Sequence, residues 1–477
     1  MSVLDNNIRV LKFFEEISMI PRGSFKEEKI ADYLVEFAKQ RELKYVRDGM
    51  HNVVIFKDAS IGYENHEPVM LQGHSDMVNE KNNDCKHDFD NDPLDLYIEN
   101  GILKARGTTL GADDGCGVAI ILSLLDDQDA KHPPLECVFT VQEEVGLFGA
   151  MGLDTSILRS RRMIGLDSSD ETKVTVSSSG GKRVVLNKKV SYEDNHDPVY
   201  VLTVKGISGG HSGSEISKEK GHAIQFSIRL LHLLIKNNVD VRIVEMNGGL
   251  KDNAIPRECV TMFASETSVE EIEKVLDKGF NNLKEQYQYT EPQLTIELEK
   301  TNAPKALSKE DTKDIVSTVY LCPHGFIAKS IEMNGLTLIS LNNGVIKVSE
   351  GNAEIRYSIR SPLEGARDDL TDKISMIADI YGFSVGVDSE YGGWAYDSSS
   401  KMRKLMKEFF KNKYDVELEE HATHGGLESG VFCAKMPGLD IVAYGPNMYD
   451  IHSPEERLEL DSFVRVYQRI KDFLEVL

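Results

Sequence analysis

Pro68-Val69-Met70-Leu71-Gln72-Gly73-His74-Ser75-Asp76 is a short apolar run that ends in an imidazole and a carboxylate. A run this short and this apolar suits a strand buried on both faces. The pattern recurs at Leu135 to Val141 and Arg162 to Leu166, and Asn52 to Phe56 precedes it. Between the second and third strands, Gly115 to Leu125 reads as a helix. Strands alternating with helices predict an α/β sheet with parallel members.

Working outward, potential metal donors follow each strand or open the helix. They are His74 and Asp76; Asp113 and Asp114 in Gly111-Ala112-Asp113-Asp114-Gly115; Glu143 and Glu144 after Val141-Gln142; and Asp167 after Leu166. His452 lies in the loop after the strand Asp440 to Tyr444. Ligands of open α/β sheets gather at the carboxyl ends of strands, so these donors are expected to share one crevice. Any one of them alone is ordinary surface charge or a polar loop residue; their common placement is the signal. Two imidazoles and several carboxylates without a thiolate suit zinc, manganese or cobalt better than calcium or magnesium. Five donors with carboxylates to spare suggest two metals sharing a bridge, which activate water between them. Successive residues past a strand end point different ways, so one of Glu143 and Glu144 can bind metal while the other faces the water as general base. Asp76 is placed to orient His74 by a hydrogen bond.

The first forty residues read as two helices, Ile8, Leu11, Phe14 and Ile17 on one face and Ile30, Leu34 and Phe37 on the next, broken at Pro21 to Ser24. Near Lys188 the texture changes. Strands at Tyr200 to Val204, Val241 to Glu245, Thr261 to Ala264, Gln293 to Leu298, Thr337 to Leu341 and Ala353 to Ile359 mix with helices at Gly221 to Asn237, Val269 to Gln286 and Ala366 to Tyr381. The α/β texture returns near Tyr391 to Trp394. The expected organisation is therefore a domain made of residues 1–187 and 391–477, with an α+β domain, 188–390, inserted into it.

The net charge is −23 over 477 residues, which repels nucleic acid and anionic membrane. No basic start followed by an apolar run and no stretch of about 18 apolar residues is visible. Six scattered cysteines without a CxxC pair read as reduced thiols, so the expected location is the cytoplasm. Gly111 to Gly117 is glycine-rich but lacks the Lys-Ser/Thr of a phosphate loop. His421 and His424, the loop histidines His51, His66, His87 and His132, and Trp394 are given no chemistry; the indole is expected to pack where the two domains join.

The runs His74-Ser75-Asp76-Met77-Val78, Gly107 to Gly115, Val141 to Ala150, Ile164 to Ser169 and Ile451 to Glu456, in this order, resemble the M20 metallopeptidases, in particular the aminoacyl-histidine dipeptidase branch (peptidase D, the Xaa-His or cytosol non-specific dipeptidases). The likeness spans essentially the whole chain. It implies a zinc-peptidase, phosphorylase/hydrolase-like α/β catalytic domain with an inserted α+β lid that also serves dimerisation. By the same resemblance Asp113 bridges two zinc ions, His74 and Asp167 complete one site, and Glu144 and His452 the other. Glu143 matches the general base, Asp76 the orienting acid, and the Asp113–Asp114 peptide is implied to be cis. In the inserted domain His211 matches a histidine that bonds substrate and steadies the oxyanion. Asn253 and Arg360 match residues that hold the substrate backbone and its terminal carboxylate, and Gly426 a backbone contact on the catalytic side. Gly425 and Ser429 depart from the usual pattern there. The implied activity is hydrolysis of dipeptides with a free C-terminus, Xaa-His included, by a homodimer. Rival expectations are an N-acyl-amino-acid amidohydrolase, a tripeptidase, or a peptide-binding protein that has lost catalysis.

Overall fold

In the computed structural model, which describes residues 2–477, the run Val69–His74 is a strand with all six residues buried. Its sheet has eight strands: β1 (Lys44–Arg47), β2 (Val53–Lys57), β3 (Val69–His74), β4 (Leu135–Thr140), β5 (Arg162–Gly165), β6 (Lys173–Ser178), β7 (Glu419–Thr423) and β8 (Asp440–Ala443). Their order is β1-β2-β4-β3-β5-β8-β6-β7. β4, β3, β5 and β8 run parallel, while β2 and β6 flank this block antiparallel. His74 stands opposite Thr140, and Gln72 opposite Gly165, so the chain leaves β3, β4 and β5 at one edge.

Parallel strands need cover on both faces. Helices α1 (Arg9–Ser18), α2 (Glu28–Gln40), α3 (Ala112–Asp126), α4 (Lys401–Tyr414), α5 (Glu428–Lys435) and α6 (Leu460–Leu474) belong to the same part of the chain. α3 packs on β3 and against α1, and α1 meets α6 through Phe14 and Phe463, edge to face at 5.7 Å. Each such buried aromatic or aliphatic side chain contributes about 1.5–3 kcal/mol. α3 is buried from Ala112 to Leu125 and, from Gly115 on, almost wholly apolar, as a helix held between layers must be. Asp113 and Asp114 have non-helical dihedrals and the peptide joining them is cis. Regular helix therefore starts at Gly115, where the sequence places it. A small antiparallel sheet of Leu96–Glu99, Ile102–Ala105, Arg457–Glu459 and Met448–Tyr449 sets the His452 loop against the strand that leads toward α3.

The chain divides into two compact units. The first comprises Met1–Ser178, Gly393–Ala422 and Leu427–Leu477; the second comprises Ser179–Gly392 and Thr423–Gly426. Strand Gly180–Lys189 belongs to the second unit, so the division comes before the change of texture near Lys188. That strand opens on two glycines and closes on two lysines, which hides it in the sequence.

The second unit is built on a nine-stranded antiparallel sheet whose central members are Thr337–Ser349 and Asn352–Ser361. Helices Ala223–Lys236, Val269–Tyr287, Lys309–Leu321 and Glu364–Ile380 accompany it around one continuous apolar cluster. Ser268 and Ser308 cap two of these helices by accepting from Glu271 N and Asp311 N. The helix Lys309–Leu321 is missing from the sequence reading because its first turns, Lys-Glu-Asp-Thr-Lys-Asp, carry no apolar face. The strand from Thr337 runs past Leu341 because Asn342, Asn343 and Gly344 continue it through a bulge.

Trp394 lies in the first unit, 5 % exposed, with its backbone paired to Ser178 in both directions. No helix among the described residues is long and apolar enough to cross a membrane.

Candidate metal centre

His74 ends β3 with both ring nitrogens engaged. Nε2 faces Asp113 Oδ1 at 3.1 Å; Nδ1 faces the Asp76 carbonyl at 3.2 Å and its Oδ1 at 3.5 Å. The other oxygen of Asp113 faces His452 Nε2, also at 3.1 Å, and that nitrogen is 3.0 Å from Glu144. Asp113 thus points one carboxylate oxygen at each of two imidazoles. Three donor groups with ligand atoms within 4.8 Å of one another result among the described residues: His74 with Asp113 and Asp167, Asp113 with Glu144 and His452, and His74 with Glu143 and Glu144. The five donors come together, although the first, His74, and the last, His452, lie 378 positions apart in the chain. Glu143 also falls within ligand reach, which residue types alone do not reveal.

The electrostatics fit cations. Burial opposes a charge on His74, yet its contacts with Asp113 and Asp76 hold its pKa well above the ordinary imidazole value. Contacts with Asp113 and Glu144 raise His452 to about 11. Asp113 resists burial through His452 and His74 and stays far below the carboxylate range. Burial and the nearby Asp113 push Asp167 up to about 7. Burial, with Asp167, Glu144 and Glu428 close by, pushes Glu143 well up. A crowded, buried set of acids that must share protons is a set that divalent cations stabilise.

Buried neighbours fix these side chains. The Asp76 carboxylate accepts from the backbone N–H of Glu143 at 3.1 Å and of Glu144 at 3.3 Å, and from Ser24 Oγ at 2.7 Å. It therefore ties His74 to the chain leaving β4. Asp114 accepts from His74 N at 3.2 Å and Gly117 N at 3.0 Å. Glu428, at the start of α5, accepts from Gln72 Nε2 at 2.6 Å and Thr140 Oγ1 at 2.5 Å; burial pushes its pKa up to about 8. Arg22 and Glu456 are buried as well. Sequence reasoning assigned no role to Glu428, Arg22 or Glu456. Glu456 stands inside the run quoted at His452, and Arg22 inside a segment read only as a helix break.

In the second unit, His211 pairs with Ala254 across a two-residue bridge, and Ser212 N donates to the Asn253 carbonyl at 2.8 Å. Arg360, 7 % exposed, donates to Ser212 Oγ at 3.4 Å and to Tyr391 Oη at 3.3 Å. No carboxylate lies within ion-pair range of it among the described residues. Gly426 lies so close to the Tyr391 ring that an added Cβ would meet it at 2.7 Å. The four candidates thus share one neighbourhood, and Gly426 counts with the second unit rather than with the catalytic side. His424, given no role by sequence, is buried there with Nε2 2.7 Å from Ser340 Oγ; burial and the nearby Arg360 lower its pKa to about 3. His132, expected in solvent, is buried with Nδ1 2.8 Å from the Pro133 carbonyl.

Residues 70–476 match the sequence profile of Peptidase family M20/M25/M40. The cytosol non-specific dipeptidase of Escherichia coli K12 is 33 % identical over 467 residues, 97 % of this chain and 96 % of that protein. The crystal structure of aminoacylhistidine dipeptidase from Vibrio alginolyticus superposes with a TM-score of 0.89 at 31 % identity, covering 98 % of this chain and 96 % of that one. Aminopeptidase PepT of Bacillus cereus ATCC 10987, at 15 % identity, shares the fold with a TM-score of 0.57 over 99 % of both chains.

Proposed function

The chain belongs to Peptidase family M20/M25/M40, and we propose that it is a two-metal dipeptidase acting on dipeptides with a free C-terminus, Xaa-His among them. The observation that carries this reading is the double-facing carboxylate of Asp113 between His74 and His452, with Asp167 and Glu144 completing the two donor groups. The two relatives with over 30 % identity across nearly the whole chain are named as dipeptidases, one of them for aminoacylhistidine substrates.

His74 and Asp167 would hold one cation, Glu144 and His452 the other, and Asp113 both. Imidazole and carboxylate donors without thiolate favour zinc, with cobalt and manganese as substitutes. Such a pair supplies Lewis acidity toward the scissile carbonyl and toward water. Glu143 takes the proton from the attacking water and returns it to the leaving amine. Asp76 keeps His74 in one ring orientation while holding the main chain of Glu143. Arg360, a buried guanidinium without an acidic partner in range among the described residues, pairs bidentately with the substrate carboxylate. His211 donates to the developing oxyanion, and Asn253 and the Gly426 backbone hold the peptide. The second unit acts as the lid, the protein is a homodimer, and it works in the cytoplasm, where its six cysteines stay free.

The test is a substrate panel on the full chain loaded with zinc. Xaa-His and other dipeptides should turn over, N-acetyl amino acids and tripeptides far less, and thorough chelation should abolish the reaction. Turnover of the acetylated compounds alone would replace this reading with an amidohydrolase; full metal with no turnover of any would leave a peptide binder.

A further inference from the structure

Four consecutive backbone amides converge on one buried carboxylate. Leu110 N and Gly111 N donate to Glu456 Oε2 at 2.7 and 2.9 Å; Ala112 N and Asp113 N donate to Oε1 at 2.8 and 3.3 Å. The side chain is 2 % exposed, so water does not compete for these bonds. Arg22 works from the other side of the same loop. Its Nη2 donates to the Gly111 carbonyl at 2.5 Å, and its Nη1 to the carbonyls of Ser75 and Asp76 at 3.2 and 3.1 Å. Glycine at 111, with φ +65°, leaves the room that Arg22 uses: an added Cβ would stand 2.6 Å from Nη2. Glu456 follows His452 by four residues and grips the main chain of Asp113, while Arg22 joins that loop to the exit of β3 just past His74. Three donor-bearing segments, remote in the chain, are thereby locked together by two side chains that touch none of the donor atoms.

We infer that Glu456, braced by Arg22, is a positioning residue of the metal centre: it fixes the main chain of residues 110–113 so that the two oxygens of Asp113 face His74 and His452 before any cation arrives. Binding then needs no ordering of this loop, and the cost of ordering is not subtracted from metal affinity. A carboxylate is required rather than any acceptor of its shape. Its two oxygens each receive two N–H groups, and its charge complements both these four amide dipoles and the guanidinium. The inference rests on the reading of these donors as a metal site.

The test compares wild type, Glu456→Gln and Glu456→Asp as full chains stripped of metal and then titrated with Zn(II) or Co(II) against a chromophoric chelator. Glu456→Gln keeps the shape but turns one acceptor oxygen into an amide NH2 facing two N–H donors. It is expected to weaken at least one binding step by about 10–100-fold and to alter the visible spectrum of the Co(II) form. Glu456→Asp, with both oxygens on a shorter arm, should recover part of each. A purely structural residue would change the unfolding temperature and leave the affinity and Co(II) spectrum of the folded protein as in wild type; that result would overturn the inference. Hydrogen exchange on metal-free wild type gives a second readout that survives if the variants do not fold. The amides of 110–113 should be protected to the same degree with and without metal, and free exchange until metal is added would refute the brace. Wild type that binds neither cation would instead sink the metal reading, a different failure with a different signature.

Discussion

At the scale of single residues, chemistry divides between neighbours that the sequence cannot tell apart. Glu143 and Glu144 are both acids after one strand, and both fall within ligand reach of His74. Turnover distinguishes them. Glu143→Ala should lower kcat by about 10²–10⁴-fold with two metal ions per chain retained by elemental analysis; loss of an ion would make Glu143 a ligand. Arg360→Ala should cost free-carboxylate dipeptides about 10–100-fold in kcat/KM, the worth of a charge-assisted hydrogen bond, and leave C-terminal amides nearly unchanged. Equal losses on both would remove its carboxylate role. His74, Asp113, Glu143, Glu144, Asp167 and His452 were legible as candidate donors because each follows an apolar strand or opens a helix, positions where donors gather. Arg22, Glu428 and Glu456 were not, since their importance lies in backbone groups and buried neighbours that no residue pattern displays.

At the scale of elements, the long apolar strands and amphipathic helices announced themselves, and the α/β sheet with parallel members is the one expected. What escaped was ordered by context instead of by its own periodicity. Gly180–Lys189 is a strand because Asn352–Ser361 and Ser384–Tyr391 pair along both its edges. Lys309–Leu321 is a helix because Ser308 caps it and Ile315, Val316 and Val319 reach the core. The loop ahead of α3 shows how much one missing side chain contributes. Gly111→Ala must place a Cβ at φ +65° and 2.6 Å from the Arg22 guanidinium. It should destabilise the first unit by about 1–2 kcal/mol, read as a lower urea midpoint, and weaken metal binding in parallel. Unchanged values for both would mean that the loop tolerates displacement.

Across the whole molecule, the two units should respond differently to acid. In the second unit burial lowers His324 to about 4, and burial with the nearby Arg360 lowers His424 to about 3, while both titrate near 6.5 once unfolded. Both folded values are depressed, so the stability they confer is complete above pH 6.5 and falls as pH drops toward 4. Each proton taken up only by the unfolded chain costs about 1.4 kcal/mol per pH unit. Urea midpoints of second-unit segments, followed by hydrogen exchange, should therefore decline between pH 7 and 5, and His324→Gln with His424→Gln should flatten the decline. The same slope in that double variant would assign acid sensitivity elsewhere. The two units can be followed apart by light alone. The chain has a single tryptophan, and Trp394 is enclosed in the unit that carries the donor cluster. Its emission is thus a native optical gauge of that half: a red shift on denaturation marks the moment the indole meets water, with no dye or label attached.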